Sequence, residues 1–199
     1  MRCPHEVAAC LGAREPFTIR DVGVNPTRTG ILEMLALMGA DLRLINHRNF
    51  GREPVADIEV RPSQLKGARI PERLVPLAID EFPALFVAAA CAEGETLVTG
   101  AEELRVKESD RIAAMARGFE VLGVQHEALA DGMRIVGGNP FRGGTIDSRG
   151  DHRILMAFAV ASLRASAPIE ILDVANVSTS FPGFDLLANS VGLQVGVRG

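Results

Sequence analysis

Five charged residues fall within the seven positions of Arg105–Arg111, a density that could bind an anion or move a proton. The segment lies between a β-prone run that ends at Gly100 and the apolar stripe of a predicted amphipathic helix. Free backbone N–H groups and the helix dipole make such a helix start able to hold an anion. At about 100° per residue, Glu108 projects onto the side of the apolar stripe and Arg111 stands at its edge, whereas Asp110 faces away and is predicted to be structural. On charge alone, a solvated helix start is the simpler interpretation.

Unusual polar residues also precede two predicted buried helices. Asp80-Glu81 stands before the first, and Asp151-His152-Arg153 opens the second. If these helix starts lie at one end of a domain, they face one site together with the charged segment. The candidate site residues are then Lys107, Arg111, Arg153, Asp80, Glu108 and His152. Guanidinium groups bind phosphate or carboxylate bidentately, and two carboxylates beside cations are candidates for general acid and base, so the sequence favours a polyanionic substrate and proton transfer.

Each of these residues also has a structural explanation. Asp80 could cap the helix that follows it, and Asp151 is predicted to cap its own helix. His152 taken alone is more often a core histidine than a catalyst. Arg153 could simply pair with Asp147 or Asp151.

Composition argues against several other classes of protein. The 199 residues are 47% hydrophobic and 23% charged, as in ordinary globular domains. A net charge of −4 disfavours nucleic acid as a partner, and no apolar run reaches the roughly 18 residues of a membrane span. With no signal peptide recognised, a cytoplasmic location is predicted. Cys3, His5 and Cys10 fit no standard zinc spacing, so neither a metal site nor a disulfide framework is predicted.

The pattern of predicted elements repeats along the chain. Thr18-Ile19, Thr96-Leu97 and Glu170-Ile171 head equivalent strands about 75 residues apart. The first two units run strand, helix, strand, strand and then a buried helix, whereas the third stops after one helix and one strand. This predicts an α/β (α+β) domain made of repeated βαβαββ-type units with buried parallel helices.

Local signals set the finer expectations. Strands are predicted at Asp41–Ile45 and Ala56–Arg61 with a polar loop between them, and Asp131-Gly132 predicts a hairpin. A further helix is predicted to begin at Ser180, with Leu186-Leu187 on its apolar side.

Four stretches carry a resemblance to a known family. Leu104–Arg111 and Gly150–Arg153 closely resemble the two signatures of the 5-enolpyruvylshikimate-3-phosphate synthases. Asp80 matches that family's aspartate, and Thr179–Pro182 matches its C-terminal motif. The resemblance covers essentially the whole chain in order, and the first two motifs are specific.

The resemblance implies a domain division and a reaction. Because family members are about twice as long, residues 1–16 would be a residual segment from a preceding domain, and residues 17–199 the C-terminal domain of the two-domain enolpyruvyl transferase fold. The family transfers the carboxyvinyl group of phosphoenolpyruvate to the 5-hydroxyl of shikimate 3-phosphate, in the cleft between the domains. It requires no cofactor, serves aromatic amino-acid biosynthesis and is the target of glyphosate. The N-terminal half would be the partner of this chain, which alone is predicted to be nearly inactive.

The resemblance also implies a role for each site residue. Asp80 contacts the shikimate hydroxyls and is the base for the 5-hydroxyl, and Lys107 contacts shikimate 3-phosphate. Glu108 delivers a proton to the methylene carbon of phosphoenolpyruvate and later takes one back. Arg111 and Arg153 bind phosphoenolpyruvate.

Two positions depart from the pattern of some members. Thr179 replaces a lysine that binds phosphoenolpyruvate, and Glu103 replaces an asparagine. Two alternatives stay open: a domain of the enolpyruvyl transferase that acts on UDP-N-acetylglucosamine, or a non-catalytic anion-binding module. The two signatures favour shikimate 3-phosphate as the acceptor.

Overall fold

The computed structural model describes residues 3–12, 14–175, 182–190 and 194–196, in which helices and strands alternate. The helices are α1 Cys3–Gly12, α2 Gly30–Leu37, α3 Phe82–Cys91, α4 Arg111–Leu122, α5 His152–Ala161 and α6 Phe184–Ser190. The strands are β1 Phe17–Gly23, β2 Asp41–Phe50, β3 Glu53–Arg61, β4 Gly94–Val98, β5 Gln125–Leu129, β6 Gly132–Gly137, β7 Gly144–Asp147 and β8 Ile169–Leu172. None of the helices within these described residues is long and apolar enough to cross a membrane.

The predicted repeat is present in the sheets. The first has the order β1-β3-β2 and the second the order β4-β6-β5, with every neighbouring pair antiparallel. In each unit a helix, α2 or α4, joins the first strand to the next. The identical order shows that one strand–helix–strand–strand unit occurs twice, which confirms the predicted fold class.

Short parallel pairings link each unit to the next. Lys66 bridges Glu93 in parallel just before β4, and β7 pairs in parallel with β8. In chain order each linking segment comes before a buried helix, α3 or α5. Gly67 permits the first of these approaches, because a Cβ there would lie 2.2 Å from the backbone oxygen of Glu95.

The core is built around two helices that are apolar on nearly every side. In α3 the residues from Phe82 to Ala90 are all buried, as are those of α5 from Ile154 to Ala161. The two helices pack against each other, and α1 packs against both, with Val7 completely buried. Helix α1 therefore contributes to this core, although the division of the chain at residue 17 stays a prediction.

Three local expectations were wrong and one is confirmed. The predicted polar loop after Ile45 is part of a ribbon, because β2 and β3 continue to a tight turn at 51–52. The amphipathic helix, whose first turn was predicted to include Glu108, begins only at Arg111. Leu186, predicted on the apolar side of its helix, is 73% exposed, whereas Phe184 and Ala188 are buried. The hairpin at Asp131-Gly132 is present as β5 and β6. Ser180 lies outside the described residues.

Candidate active site

The centre of the candidate site is the guanidinium of Arg111, at the first residue of α4. Its side chain is completely buried, and each of its nitrogens donates to a different carboxylate. Nε lies 2.9 Å from Asp151 Oδ2, Nη1 lies 3.2 Å from Asp80 Oδ1, and Nη2 lies 2.5 Å from Glu108 Oε2. These carboxylates come from the start of α5, the turn before α3 and the loop before α4, so three helix starts meet at one arginine.

Asp80 also pairs with the guanidinium of Arg153 and the ammonium of Lys107. Arg153 donates to the Asp80 backbone oxygen at 2.8 Å and to Oδ2 at 3.2 Å, and Lys107 Nζ lies 4.0 Å from Oδ1. Within the described residues, therefore, Asp80 pairs with cations, and Glu81 is the residue at the N-cap of α3. The capping explanation of Asp80 was wrong, as was the pairing of the Arg153 side chain with Asp147 or Asp151.

Asp151 is buried at the start of α5, where it pairs with Arg111. It caps α5 by accepting from the backbone N–H of Arg153 at 2.9 Å, as predicted, and it also accepts from the Ser109 hydroxyl at 3.0 Å. Burial by itself raises the pKa of Asp151, but the hydrogen bond and charge of Arg111 outweigh it and leave that pKa below its ordinary value. Asp151 is therefore a buried anion that holds Arg111 in one orientation.

The loop before α4 is fastened at both ends. Asp110 accepts from the Ala113 backbone N–H at 2.9 Å and so caps α4, which agrees with its predicted structural role. Arg105 donates to Asp110 Oδ2 at 2.8 Å and to the backbone oxygens of Leu129 and Ala130 in the β5–β6 turn. From Lys107 to Ser109 the chain is non-helical, so Glu108 projects from a loop rather than from the helix face that the sequence pattern predicted.

Lys107 has a carboxylate partner on each side. Besides Asp80, its ammonium hydrogen-bonds the carboxylate of Glu103, one turn earlier in a 3₁₀ helix over Glu102–Val106. The Lys107 side chain is 21% exposed and that of Glu103 is 60% exposed. Glu103 is thus the nearer of the two carboxylates beside the Lys107 ammonium.

Two titratable groups at the rim have shifted pKa values. Burial, and then the charge of Arg153, lower the pKa of His152, which favours a neutral imidazole near pH 7. In the described part of the chain no group hydrogen-bonds to its buried Nε2. Burial raises the pKa of Glu81, with Arg153 acting in the opposite direction.

The structure brings five of the six candidate residues into direct ionic contact and places the sixth, His152, next to Arg153 in α5. The residues that sequence analysis left without a site function are Glu103, Arg105, Ser109 and Asp151. Two of them lie inside the charged motif, which was the available signal. Thr179 lies outside the described residues, and among those residues no group of His, Cys, Asp and Glu side chains could hold a metal ion.

Comparison with known proteins gives a consistent family. Residues 5–186 match the family described as EPSP synthase (3-phosphoshikimate 1-carboxyvinyltransferase). The chain is 62% identical to the 3-phosphoshikimate 1-carboxyvinyltransferase of Alkalilimnicola ehrlichii over 95% of this chain and 42% of that protein. It is 59% identical to the enzyme of the same name from Methylococcus capsulatus over 96% and 44%. The chain thus spans less than half the length of these curated relatives.

Solved structures match this chain over part of their own length. EPSP synthase from Acinetobacter baumannii superposes with a TM-score of 0.95 and 50% identity, over 99% of this chain and 46% of that one. The enolpyruvyl transferase NikO from Streptomyces tendae superposes with a TM-score of 0.64, at 20% identity, and so shares the fold. The predicted enolpyruvyl transferase fold is confirmed.

Proposed function

Because the chain belongs to the EPSP synthase family, we propose that it forms the C-terminal half of a 3-phosphoshikimate 1-carboxyvinyltransferase. Residues 17–199 are the C-terminal domain, and residues 1–16 lead in from the preceding one. The substrates are shikimate 3-phosphate and phosphoenolpyruvate, and the chain's partner is the N-terminal half of the same enzyme. The observation that carries the proposal is the buried Arg111, held by three carboxylates where three helix starts meet.

Arg111 and Arg153 bind phosphoenolpyruvate, whose carboxylate and phosphate suit two guanidinium groups. Both arginines are paired with carboxylates of the protein, but Asp80 and Glu108 are 46% and 53% exposed. Because water can solvate these partly exposed carboxylates, incoming anions can displace them from the arginines. The buried Asp151 stays in place and keeps the Arg111 guanidinium oriented.

Asp80 and Glu108 handle the protons. Asp80 accepts the proton of the 5-hydroxyl while that oxygen bonds to C2 of phosphoenolpyruvate, and Glu108, acting as the carboxylic acid, protonates C3 to give a tetrahedral adduct. The bond from C2 to the phosphate oxygen then breaks, and C3 returns a proton to Glu108 as the double bond reforms. The released phosphate takes the proton that Asp80 accepted. Lys107 contacts shikimate 3-phosphate, and these steps need no metal or organic cofactor.

Phosphate release tests the proposal directly. We compare this chain alone with a chimera in which it follows the part of the Alkalilimnicola ehrlichii relative that it does not match. Both substrates together should release phosphate only with the chimera, because the chain alone has half of the binding groups. No release by the chimera contradicts the proposal, and release with UDP-N-acetylglucosamine in place of shikimate 3-phosphate identifies the alternative transferase.

A charge-neutral variant tests the proton role of Glu108. In the chimera, Glu108→Gln should stop turnover while both substrates still bind in calorimetric titration. Glu120→Gln, on the exposed side of α4, is the control for the loss of one negative charge and should leave turnover unchanged. Full activity of Glu108→Gln would show that the assigned role is wrong.

A further inference from the structure

The proposed ligand of shikimate 3-phosphate, Lys107, is already neutralised on its outer side. Its ammonium hydrogen-bonds the Glu103 carboxylate, and the distance to the Asp80 carboxylate is 4.0 Å. Asp80 is shared with Arg111 and Arg153, so its charge is balanced by other cations. Glu103 is therefore the carboxylate whose charge acts mainly on Lys107.

We propose that Glu103 sets the affinity of the enzyme for the phosphate of shikimate 3-phosphate by competing with it for Lys107. The inference rests on the proposed function, in which Lys107 contacts that substrate. Glu103 acts on the binding of this substrate and takes no part in the chemistry.

The competition follows from the chemistry of the ammonium group. The lysine ammonium carries three donors and no acceptor, so it attracts both a phosphate and a carboxylate. Two anions bound to the same ammonium lie close together and repel each other. The Glu103 side chain is 60% exposed and can turn into water when the phosphate arrives. Binding of the substrate must then supply the free energy that the Lys107–Glu103 pair loses.

The local backbone holds Glu103 and Lys107 close enough to form this contact. Glu103 and Lys107 are four positions apart across a 3₁₀ segment, and Arg105 between them anchors that segment to the β5–β6 turn. A neutral side chain in place of Glu103 would leave the Lys107 charge available to the substrate.

The test compares two variants of the chimera that remove the same charge from adjacent residues. Glu103→Gln removes the competing carboxylate but keeps an oxygen that can accept from Lys107. Glu102→Gln changes the net charge equally at an exposed neighbour and is the control. We measure the Kd of shikimate 3-phosphate by calorimetry and the KM of both substrates by phosphate release.

Glu103→Gln should lower the Kd and KM for shikimate 3-phosphate about two- to fivefold, the factor that corresponds to an exposed ion pair. The KM for phosphoenolpyruvate should stay the same, Glu102→Gln should have no effect, and the gain should shrink at high ionic strength. Weaker or unchanged binding in Glu103→Gln, or an equal gain in Glu102→Gln, would overturn the proposal.

The two proposals fail in different ways. If the unsubstituted chimera binds shikimate 3-phosphate but releases no phosphate, the proposed function fails and the comparison of Kd values still decides the role of Glu103. If the chimera turns over and the Kd values of the variants coincide, the role of Glu103 fails alone.

Discussion

Replacing Arg111 by methionine is expected to destabilise the protein severely, because it leaves the carboxylate of Asp151 buried without its partner. Both side chains are completely buried, and their pairing distance is 2.9 Å. Removing one member of a buried ion pair costs about 3–5 kcal/mol, against a total stability of about 5–15 kcal/mol for a folded domain. The matched control is Arg153→Met, which should cost less, because the Asp80 carboxylate that loses its partner is 46% exposed and can be solvated by water.

The dependence on pH separates this cause from a simple packing defect. In the unsubstituted protein the folded-state pKa of Asp151 is lowered, so its stabilisation is present above the unfolded pKa and is lost as pH falls through the folded one. Without Arg111 the dominant remaining influence is burial, which raises that pKa. The sign then reverses: stability is highest below the unfolded pKa and is lost as pH rises through the folded one.

Urea unfolding at pH 4.5 and pH 7.5 measures both effects. The loss of unfolding free energy in Arg111→Met should be larger at pH 7.5 than at pH 4.5, and adding Asp151→Asn should recover part of it. An equal loss at both pH values, or a loss no greater than that in Arg153→Met, would refute the assignment of Asp151 as the buried counter-ion. Should Arg111→Met fail to fold at pH 7.5, its folding at pH 4.5 supports the same reasoning.

Three further outcomes are expected. Asp110→Ala removes the N-cap of α4 and should lower the unfolding free energy by about 1 kcal/mol, whereas Asp110→Asn keeps an acceptor and should cost less; equal losses in urea unfolding would contradict the capping role. Gly118→Ala should cost about 1–3 kcal/mol in the same assay, because its Cβ would lie 2.0 Å from Cζ of Phe158; unchanged stability would show that the ring moves freely. Burial raises the pKa of Cys10 and of Cys91 to about 12, so both thiols should resist iodoacetamide at pH 8 until the protein is denatured, as followed by peptide mass spectrometry; labelling of the native protein at the rate of a free thiol would contradict this.

The repeat and the residues of the site could be predicted from the sequence because their signals are local. Alternating strands, the Asp131-Gly132 turn and the apolar helices each depend on neighbours a few positions apart, and these elements are present. The charged motifs could also be recognised, because their residue types bind anions. Local signals failed where a pattern ended: the ribbon past Ile45 continues through polar residues, because an edge strand such as β2 can face water.

The pairing within the site was decided by the tertiary structure. Arg153 contacts Asp80, 73 positions away, although Asp147 and Asp151 are closer along the chain. Only the packing of α3 against α5 brings their two starts together, and no local rule specifies that pairing. The sequence by itself determined the repeated unit and its supply of charges. The fold decided that Arg111 is buried among three carboxylates, since burial and partner depend on which helix starts converge.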